Sequence, residues 1–195
     1  MKSIFAGPLA LLLLTSCAQH GFQRIYDPSA RIDISGVSVA PPQEPGWQIL
    51  QRSTLQLVLG KQGPQPDATY MVLVVLYKLP DLNSETEFLK FISEQRLSAP
   101  ETGRFRIVKN VEEISRGREA YCASYHTTSE DHAARTSSGV RSMLSEMVGY
   151  HCQHPKNKNV GVNFQYSHRH YPGNEDSLLE KKATEFLEEV RFLAF

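Results

Sequence analysis

The sequence predicts an α+β fold, an α/β/α sandwich in which a mostly antiparallel sheet of about six to seven strands is flanked by helices. Three observations predict it. Residues 70–77 are apolar at every position, two segments at 84–97 and 175–193 have a helical apolar period, and four alternating segments lie between those two. A strand that is apolar on both faces needs a packed layer on each side, and amphipathic helices can supply such layers.

Two short strands are expected before the central one. Residues 47–50 and 55–59 mix apolar and polar positions, and turn-forming residues at 60–66 separate them from residues 70–77. These segments therefore form the first half of the predicted sheet.

Each predicted helix has a start signal and one apolar face. Ser84 followed by Glu87 is a capping-box pattern, and Glu175 and Asp176 suit the positive end of the second helix. The apolar faces consist of Phe88, Leu89, Phe91 and Ile92 in the first helix and of Leu179, Ala183, Phe186, Leu187, Val190 and Leu193 in the second. Both helices are expected to pack on the sheet.

Four further strands are predicted at 105–114, 119–128, 143–154 and 160–169. Turn-rich segments separate the last three of them, which favours antiparallel hairpins. In the last hairpin, a turn centred on Asn157 places Cys152, Tyr150 and Val148 across from Val162, Phe164 and Tyr166 on one face, which is expected to be the core.

The order of these elements resembles the Mog1/PsbP-like fold. The resemblance covers residues 46–195 and includes the Gly46-Trp47 start and the closing helix. That superfamily contains binding and assembly proteins of diverse function, so the resemblance implies a fold and a non-catalytic role rather than a ligand.

The amino-terminal segment predicts export and a lipid anchor. Lys2 precedes an apolar run at 4–14, and the run closes with Leu14-Thr15-Ser16-Cys17, which resembles the lipobox of bacterial lipoproteins. The resemblance implies that residues 1–16 are a signal peptide, and that Cys17 carries a diacylglycerol and an amino-terminal acyl chain such as palmitate and binds the lipid bilayer. An ordinary cleaved signal, or a buried helix of an intracellular protein, is the alternative.

The residues after Cys17 predict the location and the domain organisation. The second mature position is Ala18 rather than aspartate, which resembles lipoproteins of the outer membrane, so the expected location is the outer membrane with the domain facing the periplasm. Residues 17–45 are expected to be a lipidated tether and residues 46–195 a single periplasmic domain. The near alternation of Ile32, Ile34, Val37 and Val39 could instead add an edge strand to the sheet.

Cys122 and Cys152 remain as an even pair in a chain predicted to be exported, so they are predicted to form a disulfide. Pairing them across a hairpin centres the connection on Ser137, inside a turn-rich segment, which agrees with the strand prediction. A redox-active or metal-binding pair is the alternative, but the Cys-x-x-Cys spacing that lowers a thiol pKa is missing.

The histidines suggest a metal site as an alternative function. Six of them fall between 126 and 170, and the predicted register places His126, Glu146 and His168 at one end of the sheet, where they could ligate a divalent ion. No tight motif such as His-Glu-x-x-His occurs, and we predict neither a metal nor another cofactor.

The sequence suggests two other kinds of site. Ser129-Glu130-Asp131-His132 contains the residue types that hydrolytic enzymes use for catalysis. The chain contains no Gly-x-Ser-x-Gly elbow, no Ser-x-x-Lys and no phosphate-binding glycine loop, so we predict that it is not an enzyme. Aromatic residues could line a ligand pocket or simply form core and rim; they are Tyr121, Tyr125, Tyr150, Phe164, Tyr166 and Tyr171.

The sequence thus predicts a membrane-anchored periplasmic lipoprotein with a non-catalytic binding or scaffolding domain and an envelope protein as a partner. With 21 basic and 21 acidic side chains the chain has no charge excess for nucleic acid.

Overall fold

A computed structural model describes residues 22–97, 103–116, 120–137 and 139–195. The elements found there are β1 (Gln23–Arg24), β2 (Ile32–Ile34), β3 (Val37–Val39), β4 (Gln48–Arg52), β5 (Gln56–Gln62), β6 (Thr69–Lys78), α1 (Glu85–Leu97), β7 (Phe105–Ser115), β8 (Cys122–Thr136), β9 (Gly139–His154), β10 (Asn157–His170), α2 (Leu179–Glu188) and β11 (Arg191–Phe192). The large sheet has the order β1-β4-β5-β6-β10-β9-β8-β7, and a small sheet has the order β11-β3-β2. All strand pairs are antiparallel.

The predicted α/β/α sandwich is wrong: the described chain is mostly antiparallel β-structure with two helices. One face of the large sheet, which we name the core face, is covered by α2 together with the small sheet. The opposite face, which we name the open face, is covered among the described residues by α1 alone, at one end of the sheet. The second helix is shorter than predicted because Arg191 and Phe192 pair with β3 as a strand.

The core face contains the main hydrophobic core. Val72, Val74 and Phe164 of the large sheet are fully buried beneath Ala183 and Phe186 of α2. Burial of each such side chain contributes about 1.5–3 kcal/mol. Part of the predicted tether belongs to this core as well, because the small sheet buries Ile32, Ile34, Val37 and Val39.

The folded body therefore begins before residue 46. The alternation that suggested an edge strand does form strands, but in a second sheet rather than at the edge of the large one.

The predicted hairpin registers are confirmed. Cys122 lies opposite Cys152 in the β8–β9 hairpin, and a disulfide joins them. In the next hairpin, β9 and β10 pair as predicted, with Cys152 opposite Val162, Tyr150 opposite Phe164 and Val148 opposite Tyr166.

The central strand is not covered equally on its two faces. Val72, Val74 and Leu76 point to the core face and are buried, whereas Met71 on the open face is 39% exposed. Because both faces of this strand are apolar, the sequence predicted a packed layer on each. Among the described residues, only the core face is covered along the whole strand. Among the described residues, no helix is long and apolar enough to cross a membrane.

Candidate functional site

The open face contains a groove, which we name the open-face groove. Two adjoining cavities of about 800 Å³ and about 580 Å³ lie along it and share Met71, Phe105 and Ser145 as lining residues. The second cavity is lined from Leu50 in β4 to Phe105 in β7, near the two ends of the strand order. The open face is therefore concave, and its combined volume suits a ligand rather than a single solvent molecule.

Apolar side chains form the walls of the groove. Met71 and Val75 come from β6, Met147 from β9 and Ile107 from β7, and α1 contributes Phe91. Met71 and Ile107 remain substantially exposed. A partner that covers this apolar surface removes it from water, and each Å² removed favours binding by roughly 25 cal/mol.

The floor of the groove is polar and ordered by hydrogen bonds. The Tyr125 hydroxyl lies 2.8 Å from Asn163 Oδ1 and 2.7 Å from Gln165 Oε1. Gly149, on the strand between them, makes room for this arrangement, because a Cβ there would lie 2.7 Å from the Tyr125 ring and from the Phe164 carbonyl oxygen. Burial raises the pKa of Tyr125, so its hydroxyl stays protonated.

Arg96 of α1 places a cation at one end of this floor. Its guanidinium carbon lies 3.6 Å from the centroid of the Tyr125 ring, which is a cation–π contact. Nη1 lies 3.3 Å from Glu112 Oε1, while Nη2 donates to Thr127 and Asn110. Burial lowers the pKa of Arg96, and the neighbouring Tyr125 and Glu112 act in the opposite direction.

His151 and Tyr77 form a second buried pair beside Arg96. The Tyr77 hydroxyl and His151 Nδ1 are 3.0 Å apart. Burial, and then the charge of Arg96, lowers the pKa of His151 to about 3, and burial raises the pKa of Tyr77. Both side chains are neutral near pH 7, so this part of the groove offers fixed hydrogen bonds rather than a titrating acid or base.

A second ion pair lies at the other end of the groove. Arg104 binds Asp131 through two nitrogen–oxygen contacts of 2.8 Å each, and Arg169 Nη1 lies 3.9 Å from the same carboxylate. The hydrogen bonds from Arg104 are the largest cause of the lowered pKa of Asp131. This carboxylate is a structural anion whose charge its two arginines compensate.

The Ser129 to His132 run lies in β8. Alternation along the strand separates its members: Ser129 and Asp131 face the groove, whereas Glu130 binds Arg106 on the opposite side at 2.7 Å. The structure therefore does not bring the four side chains together.

The predicted histidine cluster is brought together only in part. His126 Nε2 lies 2.7 Å from Glu146 Oε1, and its Nδ1 lies 3.3 Å from Glu180 Oε1. His168 pairs with Glu146 in backbone register, but its ring stacks between Tyr70 and His170, with centroids 4.3 Å and 4.7 Å away.

The pKa of His168 is lowered to about 4, and burial is the largest cause. Within the described ranges, no group of three or more histidine, cysteine, aspartate or glutamate side chains has the arrangement of a metal site. Metal binding through His126, Glu146 and His168 stays an untested prediction.

The aromatic residues do not form one pocket. Tyr150, Phe164 and Tyr166 belong to the core face, whereas Tyr125 lies in the groove. Tyr121 packs near α1, and the Tyr171 hydroxyl donates to Asp67 at 3.0 Å.

Sequence reasoning missed the groove, although two signals for it are present. The residues at 161–167 alternate between apolar side chains and the small or polar Gly161, Asn163, Gln165 and Ser167, which marks a polar face on β10. The strand paired with it, β6, is apolar on that same face. An apolar strand beside a polar one on an incompletely covered face is a feature of binding surfaces.

Comparisons with known proteins assign no family. No protein-family model and no curated protein match the sequence. Among solved structures, the chain is similar to a Mog1 point mutant, with a TM-score of 0.45 and 11% identity over 85% of this chain and 97% of that chain. It is also similar to the Ran-binding protein Mog1p of Saccharomyces cerevisiae, with a TM-score of 0.44 and 9% identity over 85% and 96% of the two chains. A likeness at this level assigns neither a function nor a partner.

Proposed function

We propose that the chain is a membrane-anchored lipoprotein whose β-sheet domain binds another component of the cell envelope in the open-face groove, without catalysing a reaction. The groove is the observation that carries the binding role. Its apolar walls favour removal of water by a partner, and its fixed polar floor orients that partner.

The disulfide cross-links β8 and β9, the strands that carry Tyr125 and His151, which supports binding to a preformed surface. Tyr125 follows Cys122 by three residues on β8, and His151 directly precedes Cys152 on β9. Side chains that are already fixed lose less conformational entropy when a ligand binds.

The proposed anchor rests on Leu14-Thr15-Ser16-Cys17, which lies outside the described residues. A diacylglycerol and an acyl chain on Cys17 would hold the chain stably in a bilayer, whereas one acyl chain binds only reversibly. The proposed location is the outer membrane, with the domain in the periplasm. The paired Cys122 and Cys152 fit an oxidising compartment of this kind.

The anchor is tested by replacing Cys17 in the full chain. Cys17→Ser is expected to abolish labelling by an alkyne fatty acid and to move the protein from the membrane to the periplasmic fraction. Ser16→Ala keeps a small residue before the cysteine and should leave labelling and fractionation unchanged. Equal labelling of the Cys17→Ser variant and the parent chain would contradict the anchor.

The binding role is tested by placing a photo-crosslinking amino acid at Ser145 of the full chain in intact cells, because Ser145 lies in both cavities of the groove. The matched control is the same amino acid at Leu178, an exposed residue directly before α2 on the core-face side. A discrete adduct from Ser145 with none from Leu178 supports the groove. The same adducts from both positions would refute it.

A further inference from the structure

The outer edge of β7 is the longest edge of the large sheet. The sheet ends in β1, a strand of two residues, on one side and in β7, a strand of 11 residues, on the other. Within the described residues, β7 pairs only with β8, so the backbone groups on its outer side face no other strand. A long edge of this kind is a template for pairing with another strand.

The exposed side chains of this edge include apolar ones. Ile107, Val108 and Val111 are 46%, 57% and 43% exposed. Natural edge strands are normally blunted by charges or bulges, and β7 has a bulge between Ile107 and Lys109. The bulge leaves the carboxyl-terminal half of the strand, from Lys109 to Ser115, regularly paired with β8.

The charges on that regular half are complementary to themselves. If two copies of β7 pair antiparallel about Val111, Lys109 of each copy lies directly opposite Glu113 of the other. Lys109 and Glu113 are on the same face of the strand as Val111, because each lies two positions from it along the strand. Within the described part of the chain, neither Lys109 nor Glu113 forms an ion pair, and both side chains are exposed.

Neighbouring registers do not have this complementarity. Centring the pair on Lys109 would place two ammonium groups opposite each other, and centring it on Glu112 would oppose two carboxylates. Centring it on Asn110 would place Lys109 opposite Val111. A register that is shifted from this one by an odd number of residues reverses the side-chain alternation of one copy relative to the other. The core face of one copy would then continue into the open face of the other.

We propose that two copies of the chain pair through β7, antiparallel and centred on Val111, to form one continuous sheet. The two-fold axis is perpendicular to the sheet, so the open faces of both copies lie on the same side, and Phe105 and Ile107 at the groove rim lie near the junction. The pairing does not depend on the proposed lipid anchor or on a ligand in the groove.

The register is tested by cysteine cross-linking of the full chain. Val111→Cys places two thiols on the axis, where opposed Cα atoms are about 4.5–5.5 Å apart, a separation that a disulfide spans. The matched control is Ile107→Cys, which is equally exposed on the same strand but lies about 27 Å from its copy in this register, since eight residues at about 3.4 Å each separate them. We expect a dimer of twice the chain mass from the first variant and at most one-tenth as much from the second.

Equal dimer yields from the two cysteine variants would overturn the proposal. A product of Val111→Cys with a mass other than twice that of the chain would also overturn it, because another protein would then occupy the edge.

The charge pattern is tested by reversal, with readout by the concentration dependence of sedimentation of the full chain. Lys109→Glu alone and Glu113→Lys alone each create two like-charge pairs and are expected to weaken self-association by about tenfold. An equimolar mixture of the two variants should associate as tightly as the parent chain, since an acidic strand then faces a basic one. Unchanged association of both single variants, or a mixture no tighter than either variant, would refute the pairing.

Discussion

Acid should destabilise the fold through His151, a side chain in the open-face groove. Its pKa is lowered to about 3 in the folded chain, and the ordinary value of 6.5 applies when the chain unfolds. The unfolded state therefore binds a proton that the folded state does not, so the stability from this group is complete above pH 6.5 and is lost as the pH falls. Between pH 7 and pH 5 the expected loss is about 2 kcal/mol, since each pH unit below 6.5 costs about 1.4 kcal/mol.

The assay is urea unfolding at pH 7 and at pH 5, followed by the fluorescence of Trp47. Trp47 is the single tryptophan of the chain and is 2% exposed, so its emission reports on the core. The comparison variant is His151→Gln, which keeps a hydrogen-bonding group near the Tyr77 hydroxyl and cannot titrate.

The free energy of unfolding of the parent chain should fall between pH 7 and pH 5 by about 2 kcal/mol more than that of the variant. His168, whose pKa is also lowered, contributes equally to both proteins and cancels. The same pH dependence in both proteins would show that His151 takes up its proton without unfolding, and the burial argument would fail.

The remaining predictions concern the disulfide and the floor of the groove. Replacing both Cys122 and Cys152 by alanine should lower the free energy of unfolding by about 3–4 kcal/mol, because the bond spans 30 residues of chain, and reducing the parent chain should have a similar effect in urea unfolding. Gly149→Ala should cost about 1–3 kcal/mol, since the new Cβ meets the Tyr125 ring and the Phe164 carbonyl; a crystal structure with Tyr125 undisplaced and no loss of stability would contradict this.

Local signals in the sequence were sufficient for the order of the elements from β4 to α2 and for the hairpin registers. Ser84 was predicted to cap the first helix, and its Oγ accepts a hydrogen bond from the Glu87 N–H at 3.1 Å. The Cys122–Cys152 disulfide was predicted because two cysteines remain in a chain expected to be exported, and a hairpin of strands adjacent in sequence agreed with it. A turn between neighbouring strands fixes their register over short distances, so no knowledge of the rest of the fold is needed.

The small sheet could not be predicted in the same way. It joins Val37 and Ser38 to Phe192 and Arg191, which are more than 150 residues apart in the chain. An alternating pattern shows that Ile32 and Ile34 have a buried face, but it does not show which partner buries it. The predicted sandwich failed at this point, because strands rather than additional helices complete the layer on the core face.

The sequence by itself determined the central strand, both helices, the disulfide and the polar alternation on β10. Only the tertiary structure decided that α1 stops short of covering the open face, so that Arg96, Tyr125 and Gln165 meet in a groove, and that β7 is left at the edge. The physical reason is that side-chain periodicity specifies the two faces of an element, whereas cover and neighbours depend on long-range packing.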